Sequence, residues 1–145
     1  MAFHFSLGSV LQVRGILEEQ EERMLQKIQA EIVQATEAIE RIDSDIAGSA
    51  ESRRNDVFKP FLGRNLHASY GEMQELKQIR KDIEERIKKL EELRLRQIKI
   101  YESARRDREM LTDMKEVKRS EYDTDMARSQ QKTLDDNYIA RRGRI

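Results

Sequence analysis

The sequence predicts an all-α protein, a long antiparallel two-helix coiled-coil hairpin in which the second helix is longer than the first. Of its 145 residues, 39% are charged and 37% are apolar, which is too little apolar matter for an ordinary layered core. Ile and Leu recur at steps of three and four, the spacing of a coiled-coil seam. Gly and Pro cluster between two long uninterrupted stretches, so we expect one reversal of the chain.

The first helix is predicted over residues 6–47. Ser9 followed by Gln12 has the form of a capping box and marks the expected start. The apolar residues that follow step by three and four and form the predicted seam: Met24 or Leu25, Ile28, Ile32, Ala35, Ile39, Ile42 and Ile46. This spacing predicts one narrow buried stripe along an otherwise polar helix.

A hinge is predicted at about 48–65, and a second helix at about 66–140. The stretch "AGSAESRRNDVFKPFLG" contains Gly48, Pro60 and Gly63, and Ser69 followed by Glu72 forms a second capping box. The second seam is Tyr70, Met73, Leu76, Ile79, Ile83, Ile87 and Leu90, and beyond it the pattern is diluted by polar residues. We therefore expect a single coiled-coil domain over 1–145.

Charge favours a fold-back of one helix on the other. A turn near residues 56–57 would place position i beside position 113 − i, which brings the acidic segment 18–22 opposite 91–99. In that register the N-terminal end of the first helix lies opposite about residue 108. The remaining part of the second helix, about 109–140, would lack a partner although it carries an apolar stripe, so we expect another surface to cover it.

The first seventeen residues are unusually apolar for a chain end. They include Phe3, Phe5, Leu7, Val10, Leu11, Val13, Ile16 and Leu17. Two interpretations are open: this segment packs against the second helix of its own chain, or it is buried in a partner.

Both ends of the chain resemble one family. The opening pattern Phe3-x-Phe5-x-Leu7-x-x-Val10-Leu11-x-x-Arg14, followed by Glu18-Glu19, looks like the start of the flagellar export-apparatus stalk proteins of the FliJ family. The closing segment 114–144 is similar to that family's C-terminal end, particularly at Glu121-Tyr122 and Gln130-Gln131-x-x-Leu134-Asp135-Asp136. Gly15, inside the first helix, departs from the pattern.

The resemblance implies a non-catalytic central stalk in bacterial flagellum biogenesis and type III protein export. Such a stalk inserts its paired termini into a hexameric export ATPase, reaches the membrane export gate and binds export chaperones. It implies a cytoplasmic location, peripheral to the cell membrane at the export apparatus. The expected ring-contact residues are Phe3, Phe5, Leu7, Val10, Leu11, Arg14, Tyr122, Leu134, Asp135 and Asp136.

The residues themselves indicate no enzyme, cofactor or metal site. The chain has no cysteine, no phosphate loop and no nucleophile elbow, and the pairs Asp123/Asp125 and Asp135/Asp136 are expected to be solvated. No nucleic-acid binding and no membrane insertion are expected, since basic residues alternate with acids and no long apolar run occurs. A coiled-coil chaperone or adaptor and a plain structural spacer are alternatives to the stalk.

Overall fold

The protein is an all-α helical hairpin with a longer second helix. A computed structural model describes residues 2–56 and 62–143, and the side chains of these residues apart from 56, 62–67 and 69. Helix α1 is Gly8–Asp56 and helix α2 is Leu62–Arg142. No strand occurs in the described part of the chain, so the predicted fold class is confirmed.

Both helices extend further toward the reversal than predicted. α1 continues for nine residues past the predicted end at 47, and Gly48 lies inside it without a positive φ. A helical Gly costs only about 1 kcal/mol relative to Ala, and the half-buried residues Ser49, Ala50 and Arg53 continue the packed face beyond it. α2 begins at Leu62, four residues before the predicted start at about 66. The rest of the predicted hinge, at 57–61, lies outside the described residues.

The chain divides into two compact units. We call Glu22–Ile100 the central unit, and Met1–Glu21 with Tyr101–Ile145 the terminal unit. Each contains an antiparallel pair of helical segments. The prediction of a single coiled-coil domain over 1–145 stays a prediction.

The central unit contains the predicted seam. Ile28, Met73 and Leu90 are buried, with Leu90 only 2% exposed. The other members of the first seam are half-buried once Leu25 is taken in place of Met24, which is exposed. The steps of three and four therefore identified the packed face of α1 correctly.

The second seam departs from the prediction at several polar positions. Ile79 is 48% exposed, while the neighbouring Arg80 is half-buried and its Nε donates to Asp43 at 2.6 Å. Further along, Leu93 is exposed, whereas Arg94 is half-buried and Gln97 is buried. The structure keeps a strict alternation of three- and four-residue steps, because only that alternation keeps one stripe of α2 facing α1. Long polar side chains occupy the stripe where the alternation requires them.

Ion pairs across the helices of the central unit follow the same arrangement. Besides Arg80 and Asp43, the guanidinium of Arg86 lies 3.6 Å from Glu31. Near the end of α1, Arg53 donates to the sulfur of Met73 and lies over the Tyr70 ring at 6.0 Å. Tyr70 is itself 54% exposed, so it lies beside the seam. The prediction that it belongs to the seam is wrong.

Candidate functional site

The chain's N-terminal segment packs against α2 within the terminal unit. Phe5 is buried, and its carbonyl accepts a hydrogen bond from the Gly8 amide at 3.0 Å, which ties the segment to the first turn of α1. Phe3 packs beside Tyr122, with ring centroids 5.6 Å apart, and the Arg119 guanidinium lies 5.1 Å from the centre of the Phe3 ring. Tilted aromatic pairs and cation–π contacts of this kind each stabilise by about 0.5–1.5 kcal/mol.

These contacts favour the first of the two interpretations for part of the apolar terminus. Phe3 and Phe5 are engaged by the chain itself, and Leu7 and Leu11 are half-buried. Val10, by contrast, is 42% exposed. The segment therefore combines residues that fix it to α2 with residues that remain accessible to a partner.

Ion pairs join α1 to α2 in the described part of the terminal unit. Arg14 Nη1 donates to Asp107 at 3.4 Å, with both side chains more than 40% exposed. Glu18 accepts from Arg108 Nε at 2.6 Å and from Nη2 at 3.2 Å. The Glu18 side chain is only 15% exposed, so this bidentate pair lies within the packed stripe. Bidentate Arg–carboxylate pairs fix geometry as well as contributing energy.

The register in this unit differs from the one predicted. Glu18 lies opposite Arg108, not opposite 91–99, and Phe3 reaches Tyr122. The predicted register assumed a reversal at 56–57, whereas α1 is still helical at Asp56, so its residues in this unit lie opposite residues of α2 further toward the C-terminus than predicted. The unpartnered part of α2 is therefore shorter than the predicted 109–140.

The Glu18–Arg108 hydrogen bonds lower the pKa of Glu18 below its ordinary value of 4.5, and the charges of Arg108 and Arg105 act in the same direction. Desolvation opposes the shift. A carboxylate whose pKa is lower in the folded state stabilises that state at neutral pH and loses this contribution as the pH falls through the folded pKa. The base of the hairpin in this unit is therefore held by a contact that weakens in acid.

Glu18→Gln is expected to increase amide hydrogen exchange of residues 14–21 by about two- to five-fold at pH 7, which corresponds to roughly 0.5–1 kcal/mol for a partly screened pair. The exposed neighbour Glu19 provides the matched control, Glu19→Gln. The difference between the two variants should shrink as the pH falls through the lowered pKa of Glu18, because the protonated carboxyl no longer pairs with Arg108 as an anion. A Glu18→Gln variant that exchanges like the control at pH 7 would contradict a stabilising role for the pair.

The last part of α2 has no buried side chain. Every described residue from Asp123 to Gly143 is exposed, and Leu134, Tyr138 and Ile139 are each more than 60% exposed. Asp135 accepts a hydrogen bond from Nε2 of Gln131, four residues earlier on the same helix, at 3.0 Å. Asp136 is exposed. We call residues 123–142 the bare end of α2. It is about 30 Å long at 1.5 Å per residue.

The predicted ring-contact residues thus fall into two groups. The N-terminal residues, with Tyr122, are gathered where the chain packs on α2. Leu134, Asp135 and Asp136 lie at least 12 residues further along α2, or about 18 Å along the helix axis. Sequence analysis did not identify Arg119 and Ile139; the four-residue spacing of Ile139 from Asp135 was an available signal, because residues so spaced share a face.

Among the described residues, no group of three or more His, Asp or Glu side chains is arranged to hold a metal ion. No described helix combines the length and apolarity that a membrane span needs. Comparisons with protein-family models, with curated proteins and with solved structures gave no match.

Proposed function

We propose that the protein is the non-catalytic central stalk of a flagellar type III export ATPase, which promotes assembly or activity of the ATPase and protein export. In this proposal the paired termini enter the hexameric ring and the coiled coil extends toward the membrane export gate. The protein would act in the cytoplasm, peripheral to the membrane at the export apparatus, where it would also bind export chaperones. The resemblance of both chain ends to the FliJ family supports it.

The structural observation that carries the proposal is the bare end of α2. A helix of 20 residues is marginal in water when nothing packs against it, yet this one exposes Leu134, Tyr138 and Ile139. Exposed large apolar side chains on one segment favour a surface that another protein covers. An end that enters a ring of subunits would have this form.

The N-terminal segment takes a supporting role in the proposal. Phe5 is buried and Phe3 is engaged by Tyr122 and Arg119. Phe3 and Phe5 anchor the segment, and Val10 follows them on α1. We assign direct ring contact to the exposed residues. Phe5 and Phe3 would therefore influence the ATPase by holding the termini together.

A stalk of this kind would work by contact energy alone. An asymmetric shaft in a six-fold ring can favour one subunit conformation over another only if it binds the two conformations with different free energies. Apolar contacts made by Leu134 and its neighbours would supply this difference. The charges of Asp135 and Asp136 would mainly influence the rate of encounter and the orientation.

Leu134→Asp is expected to reduce stimulation of the partner ATPase at least ten-fold, because it places a charge in the apolar contact. Leu95→Asp is the matched control: Leu95 is also a leucine on α2, is 56% exposed, and lies in the central unit. We expect the control to change stimulation less than two-fold. A steady-state ATP hydrolysis assay with purified export ATPase measures both, and circular dichroism verifies equal helix content.

Asp135→Asn combined with Asp136→Asn should lower stimulation of the partner ATPase by a smaller amount, and this effect should shrink as ionic strength rises.

Normal stimulation by the Leu134→Asp variant would contradict ring contact by the bare end of α2. Absence of any binding between the unaltered protein and a hexameric ATPase would contradict the stalk itself and favour the spacer or the chaperone.

A further inference from the structure

The terminal unit has a second exposed apolar surface, separate from the bare end of α2. Met110, Met114 and Val117 line a shallow groove on the outer side of α2 and are 59%, 41% and 57% exposed. They are spaced by four and three residues, so they share one face of the helix. We call this surface the methionine groove.

The charges around the groove are arranged with two-fold self-complementarity. Arg106 lies at one end of the groove and Glu121 at the other, both lining it. If a second α2 crossed the groove in the opposite direction, Arg106 of one copy would lie level with Glu121 of the other. Opposite charges would therefore meet at both ends of the contact, once at each end by symmetry.

The apolar residues match under the same symmetry. Residues at one level of an antiparallel two-fold pair have numbers with a constant sum. The sums are 227 for Arg106 with Glu121, 227 for Met110 with Val117, and 228 for Met114 with its own copy. They agree to within one residue, or about 1.5 Å of helix, so one crossing satisfies the charged ends and the apolar centre together.

We propose that the methionine groove binds the methionine groove of a second copy of this chain, with the two α2 helices antiparallel. The contact covers 16 residues of each α2, about 24 Å of helix, which is at the small end of specific interfaces. We therefore expect a dissociation constant in the micromolar range or weaker. The proposal does not depend on the export-ATPase function.

One residue opposes the association and sharpens the test. Asp113 also lines the groove and would lie level with its own copy, since its doubled number is 226. Like charges facing each other across a contact destabilise it. Asp113→Asn is therefore expected to strengthen self-association three- to ten-fold, an effect that a variant at an unrelated surface would not produce.

Disulfide trapping tests the direction of the contact, and the absence of native cysteine makes it specific. A mixture of Met110→Cys and Val117→Cys chains should form a mixed disulfide dimer under mild oxidation. Each variant alone should form at least five-fold less, because two copies of residue 110 would be about 10 Å apart along the axis, beyond the usual Cα separation across a disulfide. Equal trapping of Met110→Cys with itself would overturn the antiparallel arrangement.

Sedimentation equilibrium tests the charge pattern. Arg106→Glu should weaken self-association about ten-fold by placing like charges level with each other, and Arg106→Glu with Glu121→Arg should restore it to within three-fold. Helix content by circular dichroism verifies that each variant is folded. A chain that stays monomeric to about 500 µM, or a double variant that remains as weak as Arg106→Glu, would overturn the proposal.

Discussion

Leu90→Ala is expected to lower the free energy of unfolding of the central unit by about 2–4 kcal/mol, the usual cost of truncating a buried leucine. Leu90 is the least exposed side chain among the buried apolar residues, at 2%. A two-stranded coiled coil has few other core layers to compensate, since only about two residues in seven face the partner helix. Thermal denaturation and urea denaturation followed by circular dichroism would measure the loss.

Leu95→Ala is the control for this prediction. It removes the same atoms from the same helix five residues further on, but Leu95 is 56% exposed, so the change should stay within about 0.5 kcal/mol. Equal destabilisation by the two variants would contradict the position of the seam described here, because it would mean that both faces of α2 are buried to the same degree.

Phe5→Ala is expected to release the N-terminal segment from α2, with a local loss of about 3 kcal/mol. Phe5 is 8% exposed and is the one buried apolar residue of the segment 2–7. Loss of the Phe5 ring should also free Phe3 from Tyr122, because Phe3 and Phe5 lie two residues apart on the same short segment. Aromatic contacts between Phe3 and Tyr122 would disappear from nuclear Overhauser spectra, and amide exchange of residues 5–12 would rise.

The central unit should not respond to that substitution, which separates local release from global unfolding. Val10→Ala is the matched control in the same part of α1, because Val10 is 42% exposed and its truncation should leave the Phe3 and Tyr122 contacts intact. Retention of those contacts in Phe5→Ala would show that the segment is held by residues other than Phe5.

The sequence predicted the fold class and the packed face of α1, because a regular spacing of Ile and Leu is sufficient to define a stripe. It failed at Ile79, where the choice of an apolar residue conflicted with the alternation of three- and four-residue steps. Arg80 occupies the stripe there, and its guanidinium reaches Asp43 at the edge. Residue hydrophobicity alone does not reveal that a long charged side chain can cover apolar surface with its stem.

The register could not be predicted because it depends on where the chain turns. Gly48 favoured an early end to the first helix, but the half-buried residues around it continue the stripe to Arg53. An error of a few residues in the assumed reversal point is doubled at the opposing helix. The prediction therefore placed Glu18 opposite 91–99, whereas its partner is Arg108. For the same reason the sequence did not predict that Phe3 contacts Tyr122 and Arg119, and the set of ring-contact residues stays a prediction.

The exposure of residues 123–142 has a consequence for how this segment responds to heat. Its helix continues from a folded coiled coil, so the costly first turn is already formed at Tyr122 and each further residue adds its own small propagation term. With no tertiary packing to make the segment melt as a unit, its ordered length follows the helix–coil equilibrium and shortens gradually from the C-terminal end as temperature rises. The ordered length of α2 is therefore a thermal average, and any protein that binds Leu134 or Tyr138 also determines how far the helix extends.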